Sequence, residues 1–460
     1  MMDPCNPPPP EHAPVITTRK QLVSALQDAS ELEHLLMICY LHAALTLKKA
    51  NEPDITRAEA EVVRRWEAKT LMIARQEMEH LGLVNNLLIG MGEAPYLYRP
   101  DFPLMSDFFD HLDLPFRLER YNKRAVRRFV KFEKPDDPYL EGLGYDLSEL
   151  EPKKLEPVLT GGPEEPLQFL RARSLSQGID FKSVQELYQA IQAAINNCNG
   201  FAELNNLFRG TASREPYQDF QFNFEMNVFT FPVTDARTAN AAINLILKQG
   251  EGIDSQPGYS SHFHIFSEIL EEFKAANRDN PAFEPAWNVV LNPSEKNVTD
   301  PFALEAMDFF NHSYTTMIYM LLGFYAYFSP ESCDQSFMNI STALQETAFA
   351  PMMTMIVRPL GEIITRQPSG EGPFYAGPNW DLVPDKDQPL PDAESLLRLP
   401  PEKDLPDFFV KRLGLMERQG YRLDELAKEL KLPADVQKRL EFMCENITRM
   451  NANFQRIITS

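Results

Sequence analysis

The run from Trp66 to Leu88 repeats apolar residues at a helical spacing, with no proline and a single glycine. Taken every third or fourth residue, one face reads Trp66, Thr70, Ile73, Glu77, His80, Val84, Leu87 and Met91. Glu77 and His80 therefore stand one turn apart on a stripe that is otherwise apolar except for Thr70. A preceding run, Gln21–Ala50, follows Thr17 and Thr18 as candidate caps and carries the stripe Leu22, Leu26, Ala29, Glu33, Leu36, Tyr40 and Ala44. Glu33 faces inward there, whereas Glu31 is rotated away and reads as a surface residue. Asn51-Glu52-Pro53-Asp54 separates the two helices, and Gly90-Met91-Gly92 with Pro95 ends the second.

Further helices are expected over Ser183–Asn199, Ala236–Lys248, from Tyr259 through Phe273, over Asp300–Phe328 and over Ser336–Arg366. Residues 95–180 are proline-interrupted and read as a long, partly irregular insertion with short helices. Gln218–Phe231 is weakly patterned as extended chain. The pattern is mainly all-α: a proline-rich arm over 1–16, a helical core over 17–378 and a C-terminal helical appendage over 379–460. Neither a Gly-rich phosphate loop nor a parallel-sheet pattern is present.

A carboxylate and an imidazole on an inward stripe must be paired, protonated or metal-bound, because a lone buried charge costs several kcal/mol. Carboxylate-bridged dinuclear sites in helical bundles take one Glu from each of two helices and Glu-x-x-His from two others. Glu33, Glu77 and His80 supply half of such a set and are the candidate catalytic residues. For the other half, Glu251 stands between two glycines at a helix C-terminus, where the macrodipole disfavours an anion unless a cation is near. A solvated loop Glu is the alternative there. His262 lies on the inward stripe of the next helix, but Tyr259 occupies the position one turn earlier, so the sixth ligand falls to Tyr259, Glu268, Asp254 or water. His264 is off the stripe, and Asp308 and His312 read as a pair with each other. Tyr40, Trp66, Phe266, Tyr314 and Tyr319 could line a substrate pocket, although core packing is the commoner use of such residues.

Composition narrows the partners. The chain has 460 residues, 43% hydrophobic and 24% charged, with 45 Lys and Arg against 66 Asp and Glu, a net charge of −21. That excess of acid argues against a nucleic acid or an anionic membrane surface as partner. Lys123-Arg124-Ala125-Val126-Arg127-Arg128 is a local exception, read as a solvated helix face. Five scattered cysteines without Cys-x-x-Cys fit a reducing compartment, and the N-terminus lacks a basic and apolar leader, so a cytoplasmic location is expected.

Several short stretches, in order, resemble a known family. They are Ser30-Glu31-Leu32-Glu33-His34, Glu77-Met78-Glu79-His80 with Asn85-Asn86-Leu87-Leu88, Gln249-Gly250-Glu251-Gly252 with Ser261-His262-Phe263-His264-Ile265-Phe266, Phe310-Asn311-His312-Ser313-Tyr314, Arg358-Pro359-Leu360-Gly361 and Ala376-Gly377-Pro378. Together they resemble the ferritin-like domain of the iminophenyl-pyruvate dimer synthases of bisindole pigment and alkaloid pathways. The resemblance implies a ferritin-like four-helix bundle and a metal bound through Glu33, Glu77, His80, Glu251 and His262. It also implies a small-molecule substrate and an amino-acid oxidase as partner; a homo-oligomer stays open. The mixed carboxylate and imidazole set suits iron, one or two ions per chain, with manganese as the alternative. Three functions follow as expectations: a metal-dependent oxidoreductase acting on an aromatic or amino-acid-derived molecule in secondary metabolism, an oxidative coupling of two imino acids, or a non-catalytic metal-binding or assembly protein.

Overall fold

The computed structural model describes residues 15–106, 115–135, 170–172, 179, 181, 183–196, 200–208, 230–250, 260–327, 343–344, 347–383, 397 and 399–459. Two capping boxes start the long hairpin on which the rest is built. Thr18 accepts from the Gln21 amide while Gln21 Oε1 accepts from Thr18, and Thr56 and Glu59 repeat the exchange. Helix α1 spans Arg19–Leu45 and α2 spans Arg57–Gly90. The first is shorter than the expected run to Ala50. Gly90 allows α2 to end against the incoming chain, since a β-carbon there would lie 2.4 Å from the Val233 carbonyl oxygen.

Helix α3 (Lys123–Phe132), capped by Asn122, packs against the later helix α6, described below. Strands β1 (Leu104–Ser106) and β2 (Leu170–Ala172) form a short parallel pair. Helices α4 (Val184–Ile195), α5 (Ala236–Gly250) and α6 (His262–Asp279) follow, with Ser261 capping the last. Helices α1, α2, α3 and α6 make the four-helix core, closed by Tyr40, Phe129 and Phe266, whose ring centroids are 4.8–5.2 Å apart. Burying an aromatic such as Phe266 contributes about 1.5–3 kcal/mol. The aromatics expected to line a pocket, Tyr40, Trp66, Phe266, Tyr314 and Tyr319, are fully buried core residues. Trp66 stacks on Phe273 at 4.5 Å and its indole N–H donates to Glu272.

Helix α7 (Pro301–Tyr327) meets α1 where the Tyr314 hydroxyl hydrogen-bonds His34, and is followed by a π-helical segment, Ala348–Val357, that continues directly into α8 (Arg358–Ile364). Pro351, which has no N–H to donate, sits within the widened turns. Helices α9 (Leu405–Glu429) and α10 (Ala434–Thr459) form a hairpin on α7, where Arg412 Nε donates to Thr316 Oγ1 at 2.9 Å and its guanidinium covers the Tyr319 ring. The apolar core is continuous from α1 to α10. Among the described residues no helix is long and apolar enough to cross a membrane.

Burial on both sides of α1 explains a correction. Glu31, expected at the surface, is buried and accepts from Tyr96 Oη at 2.7 Å. Burial, above all, pushes its carboxyl up to about 8. Farther along the same helix, His42 is buried beneath Trp380, whose indole N–H points at His42 Nδ1 at 3.4 Å. Burial holds this ring down at about 3 from its ordinary 6.5. As pH falls from 7 to 5, the unfolded chain takes up a proton that the folded chain refuses, so His42 alone should lower stability by about 2 kcal/mol. Urea unfolding at the two pH values checks this, and the loss should shrink in His42→Gln.

Candidate metal centre

Four helices converge on one carboxylate. Glu77, on α2, directs Oε2 to His80 Nδ1 at 2.9 Å and Oε1 to His262 Nδ1 at 3.0 Å. Glu33, from α1, brings Oε2 to 3.4 Å from His80 Nδ1, and Glu133, at the C-cap of α3, brings Oε2 to 3.5 Å from His262 Nδ1. Two triads result, Glu33–Glu77–His80 and Glu77–Glu133–His262, each with its donor atoms within 4.8 Å of one another and all five residues buried. The imidazole centroids lie 5.5 Å apart with 28° between the ring planes.

The outer contacts repeat the same symmetry. Tyr188 Oη donates to Glu33 Oε1 and Tyr40 Oη donates to Glu133 Oε1, so each terminal carboxylate keeps its second oxygen for the centre. Each imidazole turns its Nε2 outward, His80 to Gln249 Oε1 at 2.6 Å and His262 to Gln76 Oε1 at 3.1 Å. Gln249 is held in one orientation, because its amide nitrogen donates to Glu79 Oε1 at 3.1 Å. Its oxygen must then face His80, which must carry a proton on Nε2 and present Nδ1 inward. We expect Gln249→Leu to weaken metal binding about 10- to 100-fold without touching a ligand atom, measured by competition with a chelator.

Burial, then the Glu77 charge, pushes the Glu33 carboxyl up to about 7. Burial would also raise Glu77, but His262 and His80 outweigh it and hold that carboxyl below its usual range. Burial opposes the charge on His262, yet Glu77 and Glu133 carry it up to about 9, and His80 is raised well above normal by the same balance. Despite these attractions, Glu77 Oε1 and His262 Nδ1 have no hydrogen-bond partner. Two orphaned buried atoms 3.0 Å apart fit a cation placed between carboxylates and imidazoles.

Of the expected ligands, Glu33, Glu77, His80 and His262 come together here. Glu251, together with the candidates Asp254 and Tyr259, lies outside the described residues, as does most of 218–231. Gly250, the last residue of α5, approaches the centre: a β-carbon there would lie 3.6 Å from Glu133 Oε2. Glu268 is excluded as a ligand, since its carboxylate pairs with Lys69 and His264 on a solvated face. Asp308 and His312 lie 3.6 Å apart, bridged by Gln419 Nε2. Sequence reasoning missed Glu133. The signal was the inward stripe Ala125, Val126, Phe129 and Val130, with Glu133 one turn beyond Phe129. The basic stretch also departs from expectation, because Arg128 is buried against Glu119.

Across the α1/α2 layer, a separate apolar cavity of about 60 Å³ is lined by Met37, Met78, Leu81, Leu97, Met317 and Ile318, among others. It lies between α1, α2 and α7 and takes none of the five centre residues into its wall.

A four-helix core whose five inward Glu and His side chains form two triads sharing the Glu77 carboxylate is the kind of bundle that could hold a metal ion. Residues 26–271 match the ferritin-like family, and the chain belongs to it. It is 27% identical over 398 residues to the dichlorochromopyrrolate synthase of Lentzea aerocolonigenes, covering 80% of this chain and 36% of that protein. It is likewise 27% identical over 404 residues to the 2-imino-3-(indol-3-yl)propanoate dimerase of Chromobacterium violaceum, covering 81% and 35%. The chain thus spans little more than a third of the length of either relative. A ferritin-like protein from Caulobacter vibrioides aligns in structure with a TM-score of 0.41 at 16% identity, covering 73% of this chain and 96% of that one.

Proposed function

We propose that this chain is a metal-dependent enzyme that couples two imino acids derived from aromatic amino acids. The observation that carries the reading is Glu77, whose two oxygens each face an inward imidazole nitrogen, with Oε1 and His262 Nδ1 left orphaned. The named activities of the two relatives, a synthase and an imino-acid dimerase, support the substrate class.

Glu33, Glu77, His80, Glu133 and His262 would hold the metal, iron or manganese by the chemistry of the donor set. Bound there, it would supply the redox chemistry that oxidative coupling requires. Joining two imino acids through a new C–C bond releases two protons and two electrons, which an acceptor of the dioxygen class must take. The protein's part is to hold both imidazoles by their Nε2 protons, to keep Glu33 and Glu133 oriented through Tyr188 and Tyr40, and to bury the centre from water. An amino-acid oxidase would supply the imino acids.

Metal-loaded protein given an amino-acid oxidase and L-tryptophan should yield a product with the mass of two imino acids less two hydrogens. Metal-loaded protein that gives no coupled product overturns the coupling and leaves a different oxidation. Protein that binds no metal at all overturns the metal centre itself.

A further inference from the structure

Buried positive charge is concentrated ahead of α3 and along it, away from the metal centre. Arg117 and Arg128 are almost wholly inaccessible, and Arg124 lies beside them with a quarter of its side chain exposed. Among the described residues, the carboxylate in reach is Glu119, itself buried. Glu119 Oε1 accepts from Arg124 Nε at 2.6 Å and from Asn122 Nδ2 at 3.0 Å, while Oε2 stands 3.4 Å from Arg128 Nη2 without forming a hydrogen bond. Arg128 Nη1 donates to the Pro115 carbonyl.

After those contacts, Arg117 Nε and Nη1 and Arg128 Nε remain buried with no partner. Arg117, Arg124 and Arg128 all interact with Glu119, so among the described residues three guanidinium groups share one carboxylate. Burial and then the Arg128 charge bring Arg117 down to about 10, which still leaves it charged at neutral pH. An uncompensated buried charge costs several kcal/mol, and so does a buried donor left without an acceptor.

We propose that Arg117, Arg124 and Arg128 form a binding site for one small oxyanion, a carboxylate or a phosphate. A compact oxyanion supplies what a single glutamate does not, a second negative charge and acceptor oxygens for several N–H groups, and guanidinium is the side chain whose planar geometry matches it. None of the three arginines belongs to either metal triad. Arg128 and Glu133 are five residues apart, about 7.5 Å along the α3 axis. Inorganic phosphate and the carboxylate of a 2-oxo acid share this chemistry and differ in size and charge.

Full-length protein at fixed ionic strength in chloride buffer, titrated with inorganic phosphate and separately with pyruvate, tests the assignment by calorimetry and thermal melting. One of the two anions is expected to bind saturably, near one per chain, and to raise Tm by about 3 °C or more at saturation. In Arg117→Met, which keeps an apolar stem of similar length, affinity for that anion should fall at least tenfold. The proposal is overturned if neither anion gives saturable binding, or if Arg117→Met matches the wild type. A rise in Tm that follows total salt and appears equally in Arg117→Met is the general effect of excluded salts and also overturns it. Should the variant fail to fold, wild-type calorimetry decides alone. None of these readouts depends on bound metal.

Discussion

Glu77→Ala should purify with almost no iron or manganese, against one or two ions per chain in the wild type, and should show no coupling activity. Glu77 is the one carboxylate shared by both triads, so its loss removes a ligand from each side at once. The same change should destabilise the metal-free protein by about 3–5 kcal/mol, because it breaks two buried pairs at once and leaves two buried imidazoles 5.5 Å apart without the carboxylate that faces both. Elemental analysis by mass spectrometry and guanidinium unfolding at neutral pH give the two numbers. Metal content equal to wild type in Glu77→Ala would remove the bridging role.

Glu133 is the more discriminating residue, since it tells a dinuclear centre from a single ion. Glu133→Ala should leave about one ion per chain, held by Glu33, Glu77 and His80, while the ion beside His262 is lost. It should also cost the fold about 1–3 kcal/mol, because Tyr40 Oη is then buried without its acceptor. Glu133→Gln separates the two effects: the amide oxygen can still accept from Tyr40, but its charge is gone. In that variant the metal-free His262 should titrate below its wild-type value of about 9, since Glu133 is one of the two carboxylates that raise it. Titration by NMR reads this directly. Two ions retained in Glu133→Ala would assign the second site to other donors.

Helical periodicity exposed Glu33, Glu77, His80 and His262 because each is polar on a face that otherwise reads as core. That argument assumes one buried face per helix, and α1 violates it. Nearly all its residues from Leu22 to Leu45 are buried, packed against α2, α4 and α8 and touching α7 through His34 and Tyr314, so rotation away from the first stripe did not place Glu31 in water. Glu133 was hidden for a different reason. Its helix is ten residues long, dense in Lys and Arg and set within proline-interrupted chain, so its apolar face was outweighed by its charge. Periodicity cannot show that Arg128 meets a glutamate nine residues upstream, because pairing of that kind is set by the path of the chain between them.

Five consecutive residues of α2 are each committed to a different neighbour. Gln76 holds His262, Glu77 bridges, Met78 lines the apolar cavity, Glu79 orients Gln249 and His80 faces Glu33. Because a helix turns about 100° per residue, these five point in almost every direction around its axis. A one-residue deletion here would redirect every downstream side chain at once, and few single substitutions would be neutral. Mutational tolerance across the chain should therefore reach its minimum over Gln76–His80, and a saturation library scored for the yield of folded, metal-retaining protein should show an unbroken trough there, without the three- or four-residue rhythm of an ordinary amphipathic helix.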